Sequence, residues 1–103
     1  MVSTYKLTPD AKSDLIEIRR YTKSKWGQEQ AKKYLKGLQQ ALNLLAENPL
    51  LGVSRPEIGA NIHSFPYASH VVYYLPQIDE IVVFAVLHKQ MVPLRHIAGR
   101  DTN

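Results

Sequence analysis

The segment Ile81-Val82-Val83-Phe84-Ala85-Val86-Leu87 is apolar at every position, and it constrains this chain more than any other feature. A strand of that kind needs burial on both faces and belongs in the centre of a sheet. Two further strand signals precede it, Ile62 to Phe65 and Ser69 to Leu75. Only Pro66-Tyr67-Ala68 separates them, and only Pro76-Gln77-Ile78-Asp79 stands before a last strand from Glu80 to Leu87. Connections this short join antiparallel neighbours. The middle strand alternates Val71, Tyr73 and Leu75 with His70, Val72 and Tyr74, so it too is apolar on both sides.

Upstream lies a short strand, Val2 to Leu7, that stops at Thr8-Pro9. Thr8 is an N-cap, Pro9 takes the first helical position where its missing N–H costs nothing, and Asp10 suits the positive end of the helix dipole. Ala11, Leu15, Ile18, Thr22 and Trp26 then recur at helical spacing until Gly27 supplies a left-handed stop. Ala31, Leu35, Leu38, Leu42 and Leu45 repeat the period, and Asn48-Pro49 ends the second helix. The two helices form an antiparallel hairpin with their apolar stripes facing one way. Gly37, inside the second helix, suggests a close crossing with its neighbour, although a merely tolerated glycine reads as well. Leu50 to Ala60, with Gly52, Pro56 and Gly59, reads as an irregular connection back to the sheet.

The chain therefore reads as one α+β domain over residues 1–98, with the hairpin packed on one face of a small, twisted, mainly antiparallel sheet and residues 99–103 as a flexible tail. Helices of about 18 to 20 residues cover one face of such a sheet and no more. Either residues 50–60 and the tail fold over the other face or a partner covers it, and the second is expected because large apolar patches mark interfaces. The chain of 103 residues has no cysteine, which excludes disulfides and thiolate metal sites. Its N-terminus lacks the apolar run of a signal peptide or membrane span, so the expected compartment is the cytoplasm. The net charge of +4 arises entirely in residues 1–50, with nine basic and five acidic side chains; the remainder holds four of each and all four histidines. That excess favours an acidic partner.

Strand, helix hairpin and a three-stranded meander ending in Val86-Leu87-His88 resembles the RelE/ParE toxin superfamily. The likeness to its ParE branch is carried by Leu7-Thr8-Pro9-Asp10-Ala11, Asp14-Leu15-Ile18, Trp26-Gly27, Leu45-Ala46-Glu47-Asn48-Pro49, Arg55-Pro56-Glu57-Ile58-Gly59, Ser64-Phe65-Pro66 and Tyr73-Tyr74, over residues 3–90. The resemblance implies a toxin of a type II toxin–antitoxin module that inhibits DNA gyrase by trapping it on cleaved DNA. It implies an antitoxin whose partly disordered C-terminal segment wraps along the hairpin and sheet. A toxin dimer within such an assembly is compatible with it. Three positions depart from the ParE pattern: His63 where an arginine is usual, Ala85 where the last strand usually carries a basic residue, and Lys89-Gln90-Met91-Val92-Pro93 in place of a typical Arg-Asp.

The RelE branch cleaves ribosome-bound mRNA, chemistry that needs a base for the ribose 2′-OH, cations for the phosphate and an acid for the leaving oxygen. The middle and last strands hold no Lys or Arg, which leaves Arg55, His63, His70, His88 and Arg95. No catalytic residue is assigned, and a ribosome-dependent endonuclease is the alternative reading. His63, His70, His88 and His96 include no short-spaced pair of the zinc-binding kind, so no metal or cofactor is expected. Arg19, Arg20, Lys23, Lys25, Lys32, Lys33 and Lys36 read as a solvated helix face, a nucleic-acid surface or an attractor for an acidic antitoxin, with direct nucleic-acid binding not expected outside a complex. The residues expected at the antitoxin are Leu15, Arg19, Trp26, Tyr73 and Phe84, of which Leu15 and Trp26 also fit plain core. Those expected at the target are His88, Lys89, Arg95 and His96.

Overall fold

The computed structural model describes residues 4–102. β1 (Thr4–Leu7) leads into α1 (Pro9–Trp26) and α2 (Gln28–Glu47), followed by β2 (Val53–Ser54), β3 (His63–Tyr67), β4 (His70–Pro76), β5 (Glu80–His88) and α3 (Pro93–Ile97). Of the first predicted strand, Val2 and Ser3 lie outside the described residues. The five strands stand in the order β1-β5-β4-β3-β2, with β1 parallel to β5 and all other pairs antiparallel. The apolar run thus has a strand on each side, and all seven of its residues are buried.

The helix signals map onto local chemistry. The Thr8 hydroxyl accepts the Ala11 N–H at 3.2 Å, while its own N–H donates to the Val83 carbonyl at 3.0 Å, so one residue ends the β1–β5 ladder and caps α1. Gly27 adopts φ +95° with ψ 167°, which is not the compact left-handed stop expected; this positive-φ extended backbone suits glycine and lets a single residue close α1 and open α2. Gly37 does not mark a helix crossing. A Cβ there would run into the hydroxyl of Tyr67, which comes up from β3. Pro66 is tolerated within β3 because β2 pairs only with His63 and Ser64, leaving an open edge beyond them.

A β-bulge in β5 divides the core. Tyr73 pairs with Ala85 and Tyr74 with Val83, so Phe84 is the extra residue, and the alternation of side chains reverses there. Ile81, Val83 and Val86 face the hairpin with Val72, Tyr74, Ile18, Leu38, Leu42 and Leu45. Phe84, Ala85 and Leu87 face the other way, with Tyr73, Ile62 and Ile97.

That second cluster overturns the expected open face. Residues 58–62 and α3 cover it, leaving Phe84 and Ala85 0% and Tyr73 4% exposed. The tail expected to be flexible from residue 99 is tied at Arg100. Its guanidinium grips Asp14 on α1 at 2.6 and 3.0 Å and donates to the Phe84 carbonyl at 3.1 Å, while Asp14 accepts the Val86 N–H at 2.9 Å. β1 stops opposite Val83, so these side chains satisfy the backbone of β5 where its strand partner has ended.

Candidate functional site

Two concave surfaces border the hairpin. The first, a cleft of about 470 Å³, opens where the end of α1, the start of α2 and the ends of β4 and β5 meet, lined by Tyr21, Thr22, Trp26, Gln30, Tyr34, Ser69, His70 and His88. Antiparallel pairing sets His70 directly opposite His88, with ring centroids 5.5 Å apart. The Tyr34 hydroxyl lies 2.6 Å from His70 Nδ1 and accepts the Ser69 N–H at 3.3 Å, and the Gln90 N–H donates to His88 Nδ1 at 3.2 Å. Burial lowers the His70 pKa from its ordinary value and the neighbouring His88 lowers it further. Burial likewise raises that of the Tyr34 phenol, partly offset by the Ser69 N–H.

No lining residue of this cleft is a carboxylate, lysine or arginine. Among the described residues, no group of three or more His, Cys, Asp or Glu is placed to hold a metal ion. The five residues weighed for RNA cleavage do not gather either. Half-buried Arg55 donates to Glu57 at 2.6 Å and to Ser64 Oγ at 3.1 Å, and His63 stacks on Tyr74, on the β2–β3 side. His70 and His88 share the cleft, and Arg95 rides on α3.

The second surface is a groove of about 150 Å³ lined by Tyr5, Leu15, Leu35, Leu38, Gln39 and Leu42, between the hairpin and β1. β1 is the edge of the sheet, so its outer side is unpaired beside this groove. The groove is apolar, whereas the cleft is mainly ringed by aromatic and imidazole side chains.

A family model described as the ParE toxin of the type II toxin-antitoxin system parDE matches residues 5–93. The chain belongs to the ParE toxin family. Its relatives include Toxin ParE1 of Caulobacter vibrioides, 33% identical over 93 residues that make up 90% of this chain and 96% of the relative. Toxin ParE1 of Mycobacterium tuberculosis is 37% identical over 92 residues, 88% of this chain and 94% of the relative. Toxin ParE of Escherichia coli is 33% identical over 102 residues, 96% of this chain and 97% of the relative. A solved structure titled as the chromosomal ParDE TA system from P. aeruginosa shares the fold, with a TM-score of 0.72 at 18% identity over 84% of this chain and 96% of that one.

Within this ParE fold the residues singled out from sequence fall in different places. Leu15 is half-buried in the groove, and exposed Arg19 follows it by one helical turn. Trp26 is neither core nor groove; it stands 67% exposed at the mouth of the cleft, because α1 runs past the sheet. Tyr73 and Phe84 are sealed beneath residues 58–62 and α3, so they offer no surface to a partner in this conformation. His88 opens into the cleft on the helix side of the sheet, Lys89 is exposed beyond it, and exposed Arg95 and His96 sit on α3 on the opposite side. The four do not form one surface. Of the departures from the ParE pattern, Ala85 is fully buried opposite Tyr73, and His63 is buried with its Nδ1 3.2 Å from the Asn61 carbonyl. A long basic side chain at residue 85 would have to lie beneath α3. The Asp14–Arg100 pair carried no signal in the sequence.

Proposed function

We propose that this ParE-family protein is the toxin of its module, that it inhibits DNA gyrase in the cytoplasm by binding and without a chemical step of its own, and that a cognate antitoxin neutralises it. Family membership supports the target. The dispersal of Arg55, His63 and Arg95 away from the paired His70 and His88 supports binding over catalysis, since no lysine or arginine lines the cleft that the two histidines share.

The observation that carries the antitoxin reading is the apolar groove beside the open edge of β1. Leu15 and Leu35 line it, and no described residue of the chain fills it. A disordered segment that folds on binding can lay apolar side chains there while its backbone pairs along β1. The basic residues of the two helices favour an acidic segment and speed its arrival. Leu15 and Arg19 are the contacts assigned to the antitoxin; Trp26 is not needed for this reading.

Supercoiling by purified gyrase, with and without the isolated toxin, tests the function. Gyrase-dependent linear plasmid that disappears on adding the antitoxin is the expected result. A folded toxin that binds its antitoxin yet leaves gyrase unaffected would refute the target, and ribosome-dependent cleavage of mRNA would establish the endonuclease instead. Leu15→Asp is expected to abolish neutralisation and leave the gyrase effect in place.

A further inference from the structure

We infer that the cleft at the end of the hairpin binds single-stranded nucleic acid, with unpaired bases stacked on Trp26 and Tyr21 and the backbone held by the lysines beside it. Three observations lead there. Trp26 and Tyr21 are 67% and 60% exposed, although burying either ring would be favourable and the second face of this small chain is closed by its own tail. Five of the eight lining residues, these two with Tyr34, His70 and His88, present flat rings, and Gln30 adds an amide able to reach a base edge. Ring faces accept any base, which is the mode by which proteins hold single strands without reading sequence.

The charge around the cleft fits the same ligand. No carboxylate lines it. Lys25, in the last turn of α1, holds its Nζ 5.9 Å from the centre of the Tyr21 ring, and Lys89 directly follows His88. Among the described residues neither lysine is ion-paired, so both are open to phosphate. A duplex keeps its ring faces stacked inside, so the favoured ligand is a single strand or an opened end. An apolar antitoxin segment is better matched by the groove at Leu15 and Leu35.

The inference does not depend on gyrase being the target, because its test uses only the isolated toxin. Trp26 is the only tryptophan, so its emission reports the cleft directly. Titration with a short oligothymidylate is expected to quench Trp26 saturably, and the matching duplex to do so more weakly. With about two phosphates neutralised, the affinity should fall with salt at a log–log slope of about −1.4. Binding of a dye-labelled oligothymidylate, followed by anisotropy, is expected to weaken about 5- to 150-fold in Trp26→Ala and similarly in Tyr21→Ala. Both rings are mostly exposed, so the variants should fold. No saturable binding, equal affinity for base-free polyphosphate, or unchanged affinity in both variants would overturn the assignment. So would emission that responds to the antitoxin and not to the oligonucleotide.

Discussion

Replacing Arg100 with alanine tests whether the last residues of the chain belong to the folded domain. The substitution removes two hydrogen bonds to Asp14 and one to the Phe84 carbonyl, and leaves the Asp14 carboxylate with the Val86 N–H as its remaining partner here. Breaking a well-buried pair costs about 3–5 kcal/mol. Here the two side chains are 17% and 15% exposed, so water compensates in part and the expected loss is about 2–3 kcal/mol. With a urea slope of ~1.5 kcal/mol/M, the unfolding midpoint should fall by about 1.3–2 M. Asp14→Asn keeps an acceptor for Val86 and should cost less. Combined in a double-mutant cycle, the two substitutions should show a coupling of at least ~1 kcal/mol. A midpoint shift below that expected for ~0.5 kcal/mol, with additive single effects, would refute the clamp and return the tail to a loose appendage.

Gly37→Ala should destabilise despite the better helix propensity of alanine, by about 1–3 kcal/mol, because the new methyl meets the Tyr67 hydroxyl. Tyr67→Phe in the same chain should recover most of the loss, and urea unfolding of the three variants checks it. Tyr74→Phe should cost about 1–3 kcal/mol by thermal or urea unfolding. The buried Tyr74 hydroxyl donates to the Pro49 carbonyl at 2.8 Å and accepts the Gly52 N–H at 3.0 Å, and both would lose their partner. His70 has its folded-state pKa held below 6.5, so the unfolded chain binds the proton first as pH falls. Stability should therefore be steady above that value, decline as pH drops through it, and level off below the folded-state value. In His70→Gln the decline should be shallower, and a pH series of unfolding midpoints identical to that of the parent would contradict the assignment.

What was legible in the sequence was local. Thr8, Pro9, Gly27 and Asn48 carry their backbone preferences with them, so both helices were readable, and the unbroken apolar run placed β5 between two strands. That residues 50–60 and the tail cover the second face was one of two readings left open, and nothing local favoured it over a partner. The cover depends on a five-residue helix with a weak pattern and on Arg100 meeting Asp14, 86 positions earlier, where no periodicity applies. The bulge at Phe84 was hidden for a related reason: in a run apolar at every position, reversing the alternation leaves no mark. Tyr73 and Phe84 were expected at a partner because the second face was expected to be open. Trp26, expected at the antitoxin or in the core, lines the cleft instead and stays 67% exposed.

A closed second face changes how the proposed target surface can be tested. Deleting residues 89–103 would remove Ile97 and Arg100 and uncover Phe84 and Tyr73, so lost toxicity would report lost fold as readily as lost contact. Exposed point positions avoid the difficulty, because substitutions there usually shift stability by no more than ~0.5 kcal/mol. The structure divides the expected residues into Lys89, beside the cleft, and Arg95 with His96, on α3. A gyrase contact is a contiguous patch, so one group should matter far more than the other. With Lys25, Trp26 and Tyr21 all at the cleft, Lys89→Glu is expected to reduce gyrase-dependent linear DNA at unchanged thermal stability, and Arg95→Ala with His96→Ala to leave it nearly intact. The reverse pattern would move the target surface to α3 and separate it from the nucleic-acid-binding cleft.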